Sequence, residues 1–164
     1  MNFLRCFIYL FVCGVISFLL GRLLPYKWIR EERFPFASGE AESRFYDRIG
    51  IRSWQKKLPD MSRIFPRLVP PKTLEGEMVH KLPCLIKETC IAELIHVLLA
   101  VAALYCMVIW QGAGGIIVTI LFEIGNLPFI MIQRYNRPRL IKLHRMLCMR
   151  EQKDAQEGQK AKPC

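Results

Sequence analysis

Three long runs of apolar residues divide the chain, and polar segments separate the first run from the other two. The first run, residues 6–21, is uncharged over 16 residues and lies between Arg5 and Arg22. Residues 90–110 and 114–133 form the other two runs, and each is long enough to cross the hydrocarbon core of a membrane as a helix. A short glycine-rich segment joins them, so we predict an antiparallel helical hairpin.

The first run has two interpretations. Arg5 followed by an apolar core is the pattern of a cleaved signal peptide. However, the run ends in "LGRLLP", which lacks a clear pair of small residues for cleavage, so we predict a retained anchor. The pattern therefore predicts an all-α membrane protein with about three transmembrane helices, one N-terminal anchor plus a helical hairpin.

The segment between the first two runs mixes aromatic and charged residues, and prolines divide it into short pieces. This pattern is typical of short helices that lie at a membrane surface. We predict two or three of them, roughly at residues 39–49, 51–57 and 73–82. The expected organisation has four parts: an N-terminal transmembrane helix (1–24), a cytoplasmic interfacial segment (25–88), a transmembrane hairpin with a polar site (89–140) and a basic cytoplasmic tail, disordered from residue 151 (141–164).

Composition and charge agree with this organisation. The chain is 52% hydrophobic, and its mean hydropathy of +0.21 is too high for an ordinary soluble domain of this size. Of its 24 lysines and arginines, one precedes the first run, 14 follow it and nine follow the third, whereas the glycine-rich segment has none. We therefore expect a multi-pass protein of the cell membrane with the N-terminus outside and the middle segment and C-terminus in the cytoplasm.

The net charge of +10 also bears on partners. Basic residues beside a membrane set its topology and attract anionic lipid headgroups. No nucleic-acid-binding motif accompanies the charge, so we expect no nucleic acid partner.

Several polar side chains occur where a membrane helix rarely has them: Glu93, His96, Glu123, Asn126 and Gln133. Such groups are costly in lipid unless they face the protein interior. A hairpin that turns near residue 113 sets Glu93 level with Gln133 and Arg134, and His96 about one turn shallower than Asn126. Because the polar residues of the third run also share one helical face, we predict a single polar site between the two helices.

This cluster has the groups that general acid–base chemistry needs. Glu93 lies three residues before His96 on the same face, so it can stabilise the protonated form of a histidine that acts as a general base. The amides of Asn126 and Gln133 can orient a substrate hydroxyl or donate to an oxyanion. These four residues are the candidate catalytic group.

The basic residues that follow, Arg134, Arg137 and Arg139, can hold phosphates or pair with Glu93. Two structural alternatives stand beside this interpretation. The polar cluster can simply hold the helices together in a noncatalytic scaffold or assembly protein, and arginines after a span can be only a topology signal. A small methyltransferase or reductase is a further alternative, but no glycine-rich nucleotide signature is present.

The chain contains two Glu-x-x-His motifs, "EMVH" and "ELIH", and a pair of such motifs is also found in the metal sites of di-iron helical bundles. Only Glu123 supplies a further carboxylate in a span, and Pro83 separates the motifs, so we predict no metal. The seven cysteines lack Cys-x-x-Cys spacing, which argues against a disulfide framework or a zinc site. Cys84 and Cys90, near the interface, remain minor candidates for nucleophiles or lipidation sites.

Three stretches, "IGIRSWQKKLPD", "AELIH" and "NLPFIMIQRYNRPRL", occur in this order across residues 44–140. They resemble the glycosyl-4,4'-diaponeurosporenoate acyltransferase family of small bacterial membrane proteins. The resemblance implies an enzyme that esterifies a sugar hydroxyl of a glycosylated C30 carotenoid with a fatty acyl chain.

The resemblance also extends the site. It implies a membrane lipid or glycolipid acceptor, an acyl-CoA or acyl-carrier protein as donor, and no bound cofactor. Matching the motifs supports the four catalytic candidates and adds a set of substrate-binding candidates: Arg134, Asn136, Arg137, Arg139, Arg52, Trp54 and Asp60. We expect Arg137 and Arg139 to hold the phosphates of the donor.

Overall fold

The computed structural model describes residues 1–55 and 78–160. Regular structure in these residues is helical throughout: α1 (Asn2–Leu23), a 3₁₀ turn (Tyr26–Trp28), α2 (Glu40–Arg48), α3 (Ile51–Trp54), α4 (Met78–Ala103), α5 (Cys106–Ile109) and α6 (Ala113–Lys160). Three helical stretches are long and apolar enough to cross a membrane: Asn2–Leu23, Lys81–Ile109 and Ala113–Arg150. The prediction of an all-α membrane protein with three such helices is therefore confirmed.

The hairpin of α4 and α6 is the centre of the fold, as the sequence predicts. The chain reverses after α5 so tightly that only glycine fits at the start of α6. A Cβ added at Gly115 would lie 2.1 Å from the carbonyl oxygen of Trp110. The glycine-rich segment is therefore required by the closeness of the two helices at their turn.

The second span is not one continuous helix, because α4 and α5 are separated by a turn at Leu104 and Tyr105. Side chains from both neighbouring spans donate to carbonyls just before this turn. The hydroxyl of Tyr9 lies 3.1 Å from the Ala102 oxygen, and that of Thr119 lies 3.1 Å from the Ala103 oxygen. The Thr119 hydroxyl satisfies a carbonyl that the turn leaves without a backbone donor, whereas the Ala102 carbonyl also accepts from the Tyr105 N–H at 3.0 Å and gains a second donor.

Helix α1 packs along α4, and most of its surface stays exposed. Its close contact is at Gly21, where an added Cβ would lie 2.3 Å from Cδ1 of Ile95. A small residue at this point lets the two helices approach closely, which is how membrane helices gain packing energy.

The segment between α1 and α4 contains two of the expected interfacial helices. α2 matches the prediction for 39–49, and α3 lies within the predicted 51–57, of which residues 56–57 fall outside the described part of the chain. A hydrophobic cluster of Tyr46, Ile51 and Tyr135 fixes both helices against α6. The third expected helix, 73–82, begins outside the described residues. From Met78 the chain already belongs to α4, so an independent helix ending at residue 82 is not present.

Prolines do not interrupt the long helices. Pro83 lies inside α4, contrary to the expected break, and α6 continues through Pro138 as far as Lys160. A proline lacks the N–H that would bond the carbonyl four residues earlier, which here belongs to Arg134. The hydroxyl of Ser38 lies 3.4 Å from that oxygen and supplies the missing donor. Residues 151–160, expected to be disordered, are helical.

Candidate functional site

Glu93 occupies the centre of a buried ion-pair network between α4 and α6. One carboxylate oxygen accepts from Arg134 at 2.6 Å, and the other accepts from Arg137. Arg137 is only 1% exposed and Glu93 only 4%. Such a pair is tolerated inside a membrane protein because each charge has its partner and further hydrogen bonds.

Arg137 uses its remaining donors inside the protein. Its Nε lies 3.1 Å from the Thr89 hydroxyl, and a terminal nitrogen lies 3.2 Å from the Thr89 carbonyl. Another nitrogen donates to the Phe36 carbonyl, and the guanidinium lies over the Phe36 ring. Of the two roles that the sequence allows Arg137, holding a donor phosphate or pairing with Glu93, the structure shows the second, with the guanidinium in the interior.

Arg134 connects this network to the interfacial segment. It pairs with both oxygens of Glu42 and donates to the carbonyls of Pro35 and Ala37, at 2.9 Å and 3.3 Å. The two arginines together therefore hydrogen-bond all three carbonyls of residues 35–37 and hold this segment against the hairpin. They fix the covering segment beside the predicted site.

The carboxylate that Arg134 holds in α2 is electrostatically perturbed. The hydrogen bond from Arg134 lowers the pKa of Glu42 below its usual value, although burial acts in the opposite direction. Tyr46 donates its hydroxyl to Glu42 at 2.6 Å. Burial, reinforced by this bond to an anion, raises the pKa of Tyr46 to about 12. The pair is therefore ionised at Glu42 and protonated at Tyr46 at neutral pH.

His96 and Asn126 form a second, separate unit of the site. The amide nitrogen of Asn126 donates to the backbone carbonyl of His96 at 2.8 Å. The amide oxygen of Asn126 consequently faces the ring, 2.7 Å from Nδ1 of His96. Because an oxygen can only accept, Nδ1 must carry the proton, and Nε2 is left with a free lone pair. If the Asn126 amide were reversed, its oxygen would face the His96 carbonyl oxygen, and neither could donate. The orientation of the amide, and with it the tautomer of His96, therefore follows from the geometry.

The imidazole is also held from one face. Its ring stacks on Phe129 with centroids 5.0 Å apart and an interplanar angle of 6°. His96 is only partly buried, and the following residues Val97 and Leu98 are exposed on the surface that faces lipid. The ring is therefore not fully enclosed within the hairpin.

This geometry changes two expectations. His96 lies level with Asn126, close enough for two hydrogen bonds, and not one turn shallower. The sequence predicts that Glu93 stabilises the protonated form of His96, but both carboxylate oxygens pair with arginines, and Asn126 contacts the imidazole instead. The polar stripe therefore divides into an ionic part toward the basic end of α6 and a histidine–amide part deeper in the span.

The other candidates are distributed around the basic end of the hairpin. Gln133 is half-buried beside Arg134. A cleft of about 460 Å³ between α6 and the α2–α3 pair brings together Arg52, Asn136 and Arg139. Trp54 packs against the cluster that supports this cleft, and its indole donates to the Ile49 carbonyl at 3.2 Å.

Part of the sequence-based site lies beyond what the structure describes. Asp60 and Glu77 fall outside the described residues, and the side chain of His80 is likewise not described. The substrate contact expected for Asp60 therefore stays a prediction, as does the expectation that the two Glu-x-x-His motifs hold no metal.

Sequence reasoning missed several partners of the site. Glu42 and Ser38 reach α6 from far along the chain, and neither belongs to a motif that points there. Phe129 had a local signal, because it follows Asn126 by three residues and so lies on an adjoining part of the same helical face.

Comparison with known proteins bears on what this arrangement does. Residues 25–146 match the family model described as glycosyl-4,4'-diaponeurosporenoate acyltransferase. This range covers most of the chain and includes both units of the site. The chain belongs to the glycosyl-4,4'-diaponeurosporenoate acyltransferase family.

Individual relatives agree with the family match. Proteins named glycosyl-4,4'-diaponeurosporenoate acyltransferase from Staphylococcus aureus strains MRSA252 and N315 are each 29% identical over 134 residues. The matched region covers 78% of this chain and 79% of each relative. No solved structure matches the chain.

The family confirms the resemblance seen in the sequence motifs. The protein is an acyltransferase, related to enzymes of carotenoid modification, and it is a membrane protein by its three apolar helices. The acyltransferase assignment therefore replaces the alternatives of a noncatalytic scaffold and of a small methyltransferase or reductase.

Proposed function

We propose that this acyltransferase moves a fatty acyl group from a thioester onto a sugar hydroxyl of a membrane glycolipid, with a glycosylated C30 carotenoid as the acceptor suggested by the family. His96 is the general base of this reaction, and Asn126 is the residue that positions it. The observation that carries the proposal is the pair of hydrogen bonds between Asn126 and His96, one donated by the amide nitrogen and one accepted by the amide oxygen, which leaves Nε2 of the neutral imidazole as an unprotonated acceptor.

The reaction follows from this tautomer. Nε2 takes the proton of the sugar hydroxyl as the hydroxyl oxygen attacks the acyl carbonyl and forms the new C–O bond. The tetrahedral intermediate then collapses, its C–S bond breaks, and the protonated histidine returns the proton to the departing thiolate. The Asn126 oxygen stabilises the imidazolium between these steps because it already accepts from Nδ1.

The ionic part of the site has a supporting role in this mechanism. Arg134 and Arg137 hold residues 35–37 over the basic end of the hairpin and keep Glu93 neutralised. Their charges are used within the protein, so the donor thioester, expected to be acyl-CoA or an acyl-carrier protein, is bound without the guanidinium of Arg137.

Lateral access supports a lipid acceptor. The partly exposed imidazole and its lipid-facing neighbours let a sugar headgroup reach Nε2 while the apolar chain remains in the bilayer. A water-soluble acceptor would instead need an aqueous channel into the hairpin.

The substrate assignment can be tested in membranes that contain a glycosylated carotenoid and a fatty acyl thioester. Wild-type protein is expected to add one acyl chain to the sugar, detected by mass spectrometry as an ester of the glycoside. His96→Gln should give no ester, and Arg145→Gln, outside the histidine unit, should match the wild type. Acylation of another glycolipid with the carotenoid glycoside untouched would overturn the choice of acceptor.

The orientation is part of the same proposal, because a donor made in the cytoplasm must reach the basic end of the hairpin. The distribution of lysine and arginine supports an outside N-terminus and a cytoplasmic C-terminus. In a cysteine-free background, a cysteine at residue 113 should react with an impermeant reagent from outside, and one at residue 153 only after the membrane is opened. The reverse pattern would refute this orientation.

A further inference from the structure

The cleft between α6 and the α2–α3 pair has no part in the proposed acyl transfer. The cleft lies on a different face of α6 from the one that carries Asn126, because Arg139 is 13 residues further along and a helix turns by 100° per residue. Its charged lining residues are Arg52, Asp47 and Arg139, and its polar ones are Gln55, Asn136 and Tyr135. Two arginines and one aspartate give this cleft a net positive charge.

Arg139 is held in a fixed orientation in the cleft. Its guanidinium lies 3.5 Å from the centroid of the Tyr135 ring. One terminal nitrogen donates to the Tyr135 carbonyl at 2.8 Å, and the other donates to Asp47 at 2.7 Å. The side chain is nevertheless 43% exposed. A guanidinium that is already oriented and still accessible is a suitable donor for phosphate oxygens.

The position of the cleft relates it to the membrane. Arg139 lies six residues past Gln133, where the third apolar run ends, which is about 9 Å along the helix. This is the depth of the lipid headgroups beyond the hydrocarbon core. Arg52 is exposed on the other side of the same cleft.

The cleft also continues an apolar surface of α6. Ile117, Leu121 and Ile124 are 56%, 64% and 64% exposed, so they contact lipid chains in a membrane. Steps of three and four residues lead from this exposed stripe along the same side of the helix, past the half-buried Pro128 and Met131 and the buried Tyr135, to Arg139. A lipid whose chains lie on the stripe would therefore have its headgroup at the cleft.

We propose that this cleft binds the phosphate of an anionic phospholipid in the leaflet around the basic end of α6. Arg139 and Arg52 donate to the phosphate oxygens, and the chains lie along the exposed stripe. The apolar stripe favours a lipid over a soluble phosphate, because a soluble ligand would make no use of it. The cleft then anchors α2 and α3, which cover the ionic part of the site, to the membrane surface.

Native mass spectrometry of the full-length protein can test this with phosphatidylglycerol and phosphatidylcholine as probes. The wild type is expected to retain one phosphatidylglycerol in preference to phosphatidylcholine. Arg52→Gln and Arg139→Gln should each weaken that binding by about tenfold, the size of one charge-assisted hydrogen bond. Arg145→Gln changes an arginine of the same helix outside the cleft and should bind as the wild type does.

Three results would overturn the proposal. They are equal retention of the two lipids by the wild type, unchanged retention in both cleft variants, and displacement of phosphatidylglycerol by excess coenzyme A, which would make the cleft a donor site. Arg52→Gln alters an exposed side chain, so the proposal remains testable even if Arg139→Gln, which loses the contact with Asp47, does not fold.

Discussion

Replacing Glu93 with glutamine would leave a buried arginine without its counter-charge. Arg137 is 1% exposed, and within residues 1–55 and 78–160 its one carboxylate partner is Glu93, whereas Arg134 keeps Glu42. Breaking a buried ion pair by removing one partner costs about 3–5 kcal/mol of stability. Since Arg137 would keep its bonds to Thr89 and to the Phe36 carbonyl, we expect a cost near the lower end, about 3 kcal/mol.

The assay is the free energy of unfolding in mixed micelles, followed by loss of helical circular dichroism as a denaturing detergent is added. The double variant Glu93→Gln/Arg137→Gln removes both charges, so it should be more stable than the sum of the single losses predicts. The matched control is Arg145→Gln, whose pair with Glu32 is 68% and 72% exposed at its two members. That control should cost at most about 1 kcal/mol.

The reasoning would be refuted if Glu93→Gln were no less stable than the Arg145→Gln control, or if the two single losses simply added in the double variant. Activity gives a second criterion. Asn126, not Glu93, holds His96, so the folded fraction of Glu93→Gln should retain kcat within a fewfold of the wild type. A large loss of kcat in folded protein would return Glu93 to the role of orienting the histidine.

Three further predictions concern stability. Ser38→Ala should lower the free energy of unfolding by about 1 kcal/mol in the wild type. In a Pro138→Ala background the loss should be almost nothing, because the N–H of residue 138 then bonds the Arg134 carbonyl, and equal losses in a double-mutant cycle would contradict this. Tyr46 has a raised pKa, so its stabilising effect should be complete below about pH 10 and be lost between about pH 10 and 12. The melting temperature should fall with pH across this range, and Tyr46→Phe should remove that dependence. Gly21→Ala should reduce cysteine cross-linking between α1 and α4, whereas Gly14→Ala, which has open space, should not; equal effects would argue against close packing at Gly21.

The general fold could be read from the sequence because apolar runs of membrane length have few alternative structures. Lipid cannot satisfy backbone groups, so such runs must be helical, and a short glycine-rich connection must reverse the chain. The break before α5 could not be foreseen in this way, because the hydroxyls of Tyr9 and Thr119 come from other helices.

The sequence predicted which polar residues lie between the two helices better than it predicted which of them contact one another. Polar residues in a span had to face one another, and the structure brings His96 against Asn126 but pairs Glu93 with two arginines of α6. Helical spacing alone suggested that Glu93 stabilises protonated His96, since both residues lie on one face of the helix. The sequence left two roles open for Arg137, holding a phosphate or pairing with Glu93. Its burial decides between them, because a buried guanidinium needs the carboxylate as its counter-charge, and spacing does not reveal burial.

The length of α6 shows a further difference between local and long-range information. A proline commonly ends a helix, and Pro138 lies five residues past the end of the third apolar run. The helix continues because Ser38, one hundred residues earlier in the chain, satisfies the carbonyl that the proline leaves free. No pattern within the helix itself contains that information.

The central claim is that His96, held in one tautomer by Asn126, is the base of the acyl transfer. The most direct measurement is the turnover rate of purified His96→Gln, with the free energy of unfolding measured on the same sample. Loss of a general base lowers a rate by about 10² to 10⁴, so we predict a fall of that size with the fold retained. A well-folded His96→Gln protein that transfers acyl groups at a near-normal rate would contradict the claim and make the histidine–asparagine pair only a structural contact.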